Sequence, residues 1–374
     1  MTTHALLSAS GAHRWMSCPA SVKEESSVKR VEMSSPYAEE GTLAHALAEH
    51  CLVSDLSPLA FHGVEFQGQT ISYEMAQYIQ GYCDYINAID GEKHYELRLS
   101  FDTYVPGGFG TADCVVIEGD TLHIIDLKYG KGVAVDAVEN PQLMLYGVGA
   151  YLRFRNNRDI KQVQLHIYQP RASNVVWWGC DVKKLLEFAR GARAKAALAL
   201  SDNAPYNPSD KACLWCKAKA TCKGLDKHII KVLSKDFDEL PDDKPESMID
   251  DRISEILANR KLITDWLSAV EDYAKEKLLS GQTVTGWKLV EGRSLRAWKD
   301  EALVVETLTA VAQDGDIYER KLISPAKAEK LLGKKIMREL EHLIVKLAGQ
   351  PTLAHESDKR PVITSHADDF ENIA

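Results

Sequence analysis

The fold is decided by Gly110–Lys128, GTADCVVIEGDTLHIIDLK. Cys114–Ile117 and Leu122–Ile125 are short apolar runs of the kind that form buried strands, and Glu118, Gly119 and Asp120 supply a turn between them, so the stretch reads as a β-hairpin. Asp113 falls near the start of the first strand, and Asp126 and Lys128 close the second. Side chains alternate along a strand, which points Asp126 and Lys128 one way and Leu127 the other. Two carboxylates and an amine at the mouth of a hairpin can hold a divalent cation and activate a water, the outline of a hydrolase site. On the Asp126-x-Lys128 pattern alone, an exposed strand-end ion pair of little energetic worth is the better explanation.

The neighbouring segments supply further parts. Asn140 and Pro141 start a helix, with proline in the first turn where its missing N–H costs nothing, and this sets Gln142 and Tyr146 four apart on one face. Upstream, Pro36–Val53 reads as a helix with Leu43, Ala44, Leu47 and Ala48 as its apolar stripe. His45 and Glu49 are an i,i+4 pair on it, either a surface pair or a metal ligand with its neighbour, depending on what the helix faces. A second helix covers Tyr73–Ala88 and a strand Tyr95–Phe101. After Lys128, a glycine-flexible exit leaves Lys131 available for phosphate, and Arg153, Arg155 and Arg158 end the Gln142 helix as a backbone-contacting cluster or a solvated end. Strands over Lys161–Tyr168 and Asn174–Trp178 and a helix from Val182 to Leu200 complete an α/β layout in which the strands bearing the charged residues are central.

At 374 residues the chain has room for two domains, expected over 1–235 and 236–374. A charged, proline-containing linker near Asp242–Glu246 precedes a mostly helical region with helices over about 247–279, 301–312 and 326–346. A strand-like unit covers 286–298 and a polar tail 349–374. Trp287, Arg293, Arg296, Trp298 and Lys299 form a basic–aromatic set able to grip a nucleic-acid strand, although core tryptophans under a folded surface explain it better. No apolar run is long enough to span a membrane and no signal peptide opens the chain, so a cytoplasmic protein with no membrane partner is expected. The net charge of −9 argues against a surface coated for nucleic acid but allows a local basic groove. Eight cysteines in a chain of this size are not a disulfide framework. Cys213, Cys216 and Cys222, spaced C-x2-C-x5-C, point instead to a metal; His228 or Cys18 can serve as fourth ligand, and spacing alone leaves zinc and iron–sulfur open.

Taken together, Gly41-Thr-Leu-Ala-His45, Gly110-Thr-Ala-Asp113, Ile125-Asp-Leu-Lys128 and Gln142-x3-Tyr146 resemble the RecB-type branch of the PD-(D/E)XK nucleases. That resemblance covers about residues 8–225 and implies a restriction-endonuclease-like core, a central mixed sheet flanked by helices. It also implies that His45, Asp113, Asp126 and the Leu127 carbonyl bind Mg2+ or Mn2+. Lys128 is then catalytic, and Gln142 and Tyr146 position the substrate. The cysteines are similar to those of the iron–sulfur subgroup (AddB-like and CRISPR-associated RecB-like exonucleases), in which one cysteine precedes the core and three follow it. Cys18, Cys213, Cys216 and Cys222 are thereby implied to hold a 4Fe–4S cluster, with Zn2+ as the alternative. The opening around Trp15–Pro19 is similar to that of standalone, phage-encoded members. The expectation is a metal-dependent DNA nuclease, an exonuclease on single strands or ends, working beside phage recombination or replication proteins in a bacterial host. A catalytically weak nucleic-acid-binding scaffold on the same fold is the alternative.

Overall fold

The structure is a computed structural model and describes residues 5–28, 36–234, 250–291, 295–309, 323–347, 352–355 and 359–362. The chain divides into two compact units, Met1–Asp265 and Trp266–Ala374. The boundary expected after residue 235 falls among residues outside that description, and the division lies later, inside a 30-residue helix.

The first unit opens with two short helices, α1 (Ala12–Ser17) and α2 (Ser21–Ser27), then α3 (Pro36–Ser54). A small hairpin, β1 (Glu65–Phe66) and β2 (Gln69–Thr70), leads to α4 (Tyr73–Asn87), whose first turn is capped by the Ser72 hydroxyl accepting from Met75 N–H. The sheet is formed by β3 (Glu92–Ser100), β4 (Phe109–Glu118), β5 (Thr121–Leu127), β6 (Gln162–Gln169) and β7 (Asn174–Asp181), in that spatial order. Every neighbouring pair is antiparallel except β5 and β6. The β4–β5 hairpin closes on a two-residue turn in which Gly119 takes a left-handed φ of 58° that a side chain would oppose. A parallel neighbour needs a crossover, and α5 (Pro141–Phe154) provides it, N-capped by the Asn140 side chain. Helices α6 (Val182–Ala199), α7 (Asp210–Cys213) and α8 (Lys223–Ser234) follow.

Two apolar layers enclose the sheet. Val115, Leu122 and Ile124 pack on α5 and α6, together with Leu7, Ala12 and Trp15 from the N-terminus. Cys114, Val116, Ile125 and Leu127 pack on α3 and α4. β5 is thus covered on both faces, which is why Leu122–Leu127 is buried at every position rather than at alternate ones. The expected α/β architecture, a central mixed sheet flanked by helices with a helical C-terminal region, is the one observed.

The long helix α9 (Asp250–Leu279) leads into the second unit, whose described residues form α10 (Glu301–Thr309), α11 (Pro325–Glu339) and four short strands. β8 (Trp287–Val290) pairs with β11 (Thr352–His355), and β9 (Leu295–Trp298) with β10 (Ile344–Leu347). The expected strand-like unit therefore holds two strands whose partners come from elsewhere. Part of the expected tail is the strand β11, and the helix expected to reach residue 346 stops at Glu339. Ile344 and Val345 are β-branched and pair with Trp298 and Ala297. Trp298 packs against the small core of Val304, Leu308 and Met337 and donates its indole N–H to Ile323 O (2.8 Å), a structural role. Arg293 and the Arg296 side chain lie outside the described residues. No helix among the described residues is long and apolar enough to cross a membrane.

Candidate active site and cysteine cluster

At the end of β5 the sheet brings five elements together. Asp126 is the last inward residue on the α5 side of that strand and is only 3% exposed. Lys128 Nζ lies 2.9 Å from Asp126 Oδ2, and Gln142 from α5 bridges the two, donating from Nε2 to Asp126 Oδ1 (3.1 Å) and accepting from Lys128 Nζ at Oε1 (3.2 Å). Tyr146, one turn further along α5, has its hydroxyl 3.5 Å from Gln142 Nε2. Its ring needs the space left by Gly110, where a Cβ would fall 2.8 Å from Tyr146 Cε1. Asp113 accepts the Leu127 amide at Oδ2 (2.8 Å), and the same oxygen lies 3.4 Å from Nδ1 of His45, which α3 delivers from the opposite side of the sheet. Of the His45–Glu49 pair on α3, His45 is half-buried and reaches the strand ends, while Glu49 is exposed.

Sequence reasoning missed Glu96. Among the described residues, one group of three His, Cys, Asp or Glu side chains brings its ligand atoms within 4.8 Å of one another: His45, Glu96 and Asp113. The cause is a break in alternation. Tyr95 and Cys114 pack toward α3 and α4, while Leu97 and Ala112 pack toward α5, so the facing pair Glu96 and Asp113 sits where both strands change side. Glu96 makes the change at a left-handed φ of 43°, a costly conformation for a side-chain-bearing residue and one concentrated at functional sites. The apolar neighbours Tyr95, Leu97 and Leu99 were the available signal, because no regular alternation puts Tyr95 and Leu97 on opposite faces.

The charges respond to this crowding. Burial pushes the Glu96 carboxyl up to about 7, with Asp113 adding to the rise. Burial also raises Asp126, against the opposing pull of Lys128. Burial would lower His45 and Lys128, but the carboxylates beside them prevail, Asp113 for His45 and Asp126 for Lys128, and both stay raised. Asp126 Oδ2 is buried and, although Lys128 is near, no donor is aligned with it in hydrogen-bond geometry. An excess of buried carboxylate oxygen with a free lone pair, next to an imidazole, suits a hard divalent cation.

The second cluster joins the two ends of the first unit. Cys18, Cys213, Cys216 and Cys222 line one small enclosed cavity with Tyr206 and Leu225. The N-terminal helices are tied there by Arg14 to Glu25 (2.8 Å), Lys217 N–H to Glu25 (2.7 Å), Arg14 to Trp215 O (3.2 Å), and Tyr206 to Glu24. Asn207 N–H donates to Cys18 Sγ (3.3 Å). Backbone hydrogen bonds at Ser209, Ala218, and Gly224 with Leu225 favour the thiolates of Cys213, Cys216 and Cys222, although burial raises all three, Cys216 to about 12. His228, the other candidate fourth ligand, is 3.4 Å from Asn259 Oδ1 and does not line the cavity. The chain belongs to the DUF2800 family. The family's model, described as Protein of unknown function (DUF2800), matches residues 4–361. That match takes in Cys18, the whole sheet and the three later cysteines, so both clusters of this DUF2800 chain lie within it.

Of the arginines at the end of α5, all exposed, Arg158 is paired with Glu92 and Arg153 lies over Phe154 (5.8 Å). Lys131 is exposed on a loop that Gln169 holds in place through Val135 N–H (3.0 Å), Gly130 O (3.0 Å) and Val133 O (3.1 Å).

Proposed function

We propose that this DUF2800 chain is a metal-dependent DNA nuclease of the RecB-like PD-(D/E)XK type, an exonuclease on single strands or DNA ends, pinned by a 4Fe–4S cluster. The observation that carries the reading is the convergence, at one end of the sheet, of His45 from a helix, Glu96, Asp113 and Asp126 from three adjacent strands, and Lys128 bridged to Gln142. His45, Glu96 and Asp113 would hold a Mg2+ or Mn2+ ion, with Asp126 and the Leu127 carbonyl beside them. Such an ion supplies Lewis acidity toward a phosphate oxygen and toward water.

The chain's own groups do the rest. Lys128, kept protonated by Asp126, places a positive charge where negative charge develops as phosphorus is attacked. Gln142 fixes the ammonium through its Oε1 and so sets the direction of the charge. Tyr146, whose hydroxyl burial keeps protonated, is a neutral hydroxyl beside Gln142 and would position substrate with it. The work is positioning and electrostatics, which is what phosphoryl chemistry asks of a protein.

For the cysteines, the four sulfurs line one small cavity with N–H donors around them: Asn207 N–H reaches Cys18 Sγ at 3.3 Å, and backbone groups favour the thiolates of the other three. Those donors support the cluster, with Zn2+ as the alternative. Phage recombination, replication or DNA processing is the setting this activity fits.

The test is degradation of linear, nicked and single-stranded DNA with Mn2+, by the wild type and by Lys128→Ala. Metal-dependent cutting lost in the variant is expected; equal activity in the two overturns the assignment. Anaerobically purified protein should be brown and contain iron, and a colourless, zinc-loaded sample removes the cluster.

A further inference from the structure

β3 and β4 run on past the site. β5 joins β4 only from Cys114 onward, so Leu97–Ser100 and Phe109–Ala112 form a two-stranded flange beyond the end of β5. One face of the flange is core, with Leu97, Leu99 and Ala112 packed toward α5. The other face, on the side from which α3 delivers His45, exposes Arg98 and Thr111. There the Arg98 guanidinium lies over the Phe109 ring, 4.0 Å from its centroid, and forms no ion pair among the described residues.

An arginine plane held against an aromatic ring is pre-ordered. Phe109 lies against the guanidinium, and the exposed side chain leaves flat, positively charged surface free for a second partner. Arg98 is two residues along β3 from Glu96, roughly 7 Å at the rise of a strand, a span of the order of one nucleotide. We propose that the Arg98–Phe109 pair is a stacking platform for an unpaired DNA base, one nucleotide from the phosphate that an ion held by His45, Glu96 and Asp113 would bind. This rests on the nuclease reading and deepens it: a duplex hides its base faces, so a platform here selects single strands or frayed ends. A phosphate contact alone would need only the charge of Arg98, not its plane or Phe109.

The test uses full-length protein with Ca2+, single-stranded oligothymidylates carrying one 2-aminopurine or one abasic site at each position in turn, and the variants Arg98→Lys and Phe109→Leu. In the wild type, 2-aminopurine should be quenched at one position, and an abasic site there should weaken binding roughly tenfold. Each variant should weaken binding of the intact strand by a similar factor, with no further loss at that abasic position. The platform is overturned if no position is quenched in the wild type, if Arg98→Lys binds the intact strand as the wild type does, or if abasic and variant losses add at every position. In those cases cutting of single strands by the wild type still stands by itself; if the wild type neither binds nor cuts, the nuclease reading fails as well.

Discussion

Lys128 is the residue whose loss is most easily misread, because it both faces the candidate site and neutralises a buried charge. Asp126 is 3% exposed and has two polar neighbours, Lys128 at 2.9 Å and Gln142 at 3.1 Å. Lys128→Met keeps the length of the side chain and removes the charge. Breaking a buried pair from one side typically costs about 3–5 kcal/mol, because the partner is left uncompensated. Here the Lys128 side chain is 30% exposed and Gln142 still donates to Asp126, so about 2–3 kcal/mol is the expected loss at neutral pH. Asp126→Asn leaves an ammonium that can reach solvent and should cost only about 1 kcal/mol. The double variant removes both charges and should return to within about 1 kcal/mol of the wild type.

The assay is a denaturant titration of the three variants and the wild type, metal-free and at pH 7.5, closed as a double-mutant cycle. A coupling of about 2 kcal/mol is expected, while all three variants are inactive on DNA. If Lys128→Met is as stable as the wild type, or if the single losses add in the double variant, Asp126 and Lys128 are not a coupled pair and Lys128 is free for another role. If the double variant is folded, stable and still cuts DNA, the charge on Lys128 has no catalytic part.

Glu96→Gln should weaken Mn2+ binding, read by calorimetry, by on the order of tenfold or more at pH 8. Because burial and Asp113 hold the Glu96 carboxyl at about 7, wild-type affinity should fall as pH drops below 7 more steeply than in the variant, which keeps only the dependence that His45, itself raised, imposes; a pH profile identical in both removes Glu96 from the ligand set. His166 lies in a buried chain from Tyr85 (2.9 Å) through its own ring to His123 (3.1 Å) and on to Glu118 (3.1 Å), and burial, then His123, lowers it to about 3. The fold thus favours its neutral form: the stabilisation is full above 6.5 and is lost as pH falls from 6.5 toward 3, at about 1.4 kcal/mol per pH unit. His166→Phe should flatten that slope by up to one proton's worth between pH 6.5 and 5; an unchanged slope refutes the assignment. Gln169→Leu should cost about 2–3 kcal/mol by stranding loop groups, and should open the chain to trypsin at Lys131; equal resistance shows that the loop holds its shape without Gln169.

How much was legible in the sequence depends on how far each feature reaches along the chain. The hairpin, the β5 rim with Asp126 and Lys128, and the one-turn spacing of Gln142 and Tyr146 follow from local periodicity, and the structure places all four at one point. Cys18 and the later cysteines are some two hundred residues apart, and nothing in their spacing says that Arg14, Glu25 and Tyr206 lace those segments together. The pairing of β8 with β11 and β9 with β10 was equally invisible, since four-residue strands carry too little pattern to announce partners from far along the chain.

Glu96 is a different kind of miss. Alternation is an average property of strands, and it fails where a backbone leaves the β region. A left-handed residue without a glycine is held there only if its surroundings repay a cost of order 1–3 kcal/mol. At Glu96 the surroundings do the reverse electrostatically: its carboxyl faces Asp113 and is pushed up by burial and by that charge. The apolar neighbours explain how the conformation is held, because Tyr95 and Leu97 reach opposite cores only if the strand turns over between them. They do not explain why a glutamate stands at the turnover point, where glycine would adopt the same φ without strain. A bound cation does, since it rewards a third ligand and offsets the repulsion between the carboxylates at once. The arrangement therefore makes a distinction: Glu96→Gly should fold at least as well as the wild type without metal, and should lose its advantage only when Mn2+ is added. A variant less stable than the wild type in the metal-free state would mean that the side chain is kept for packing.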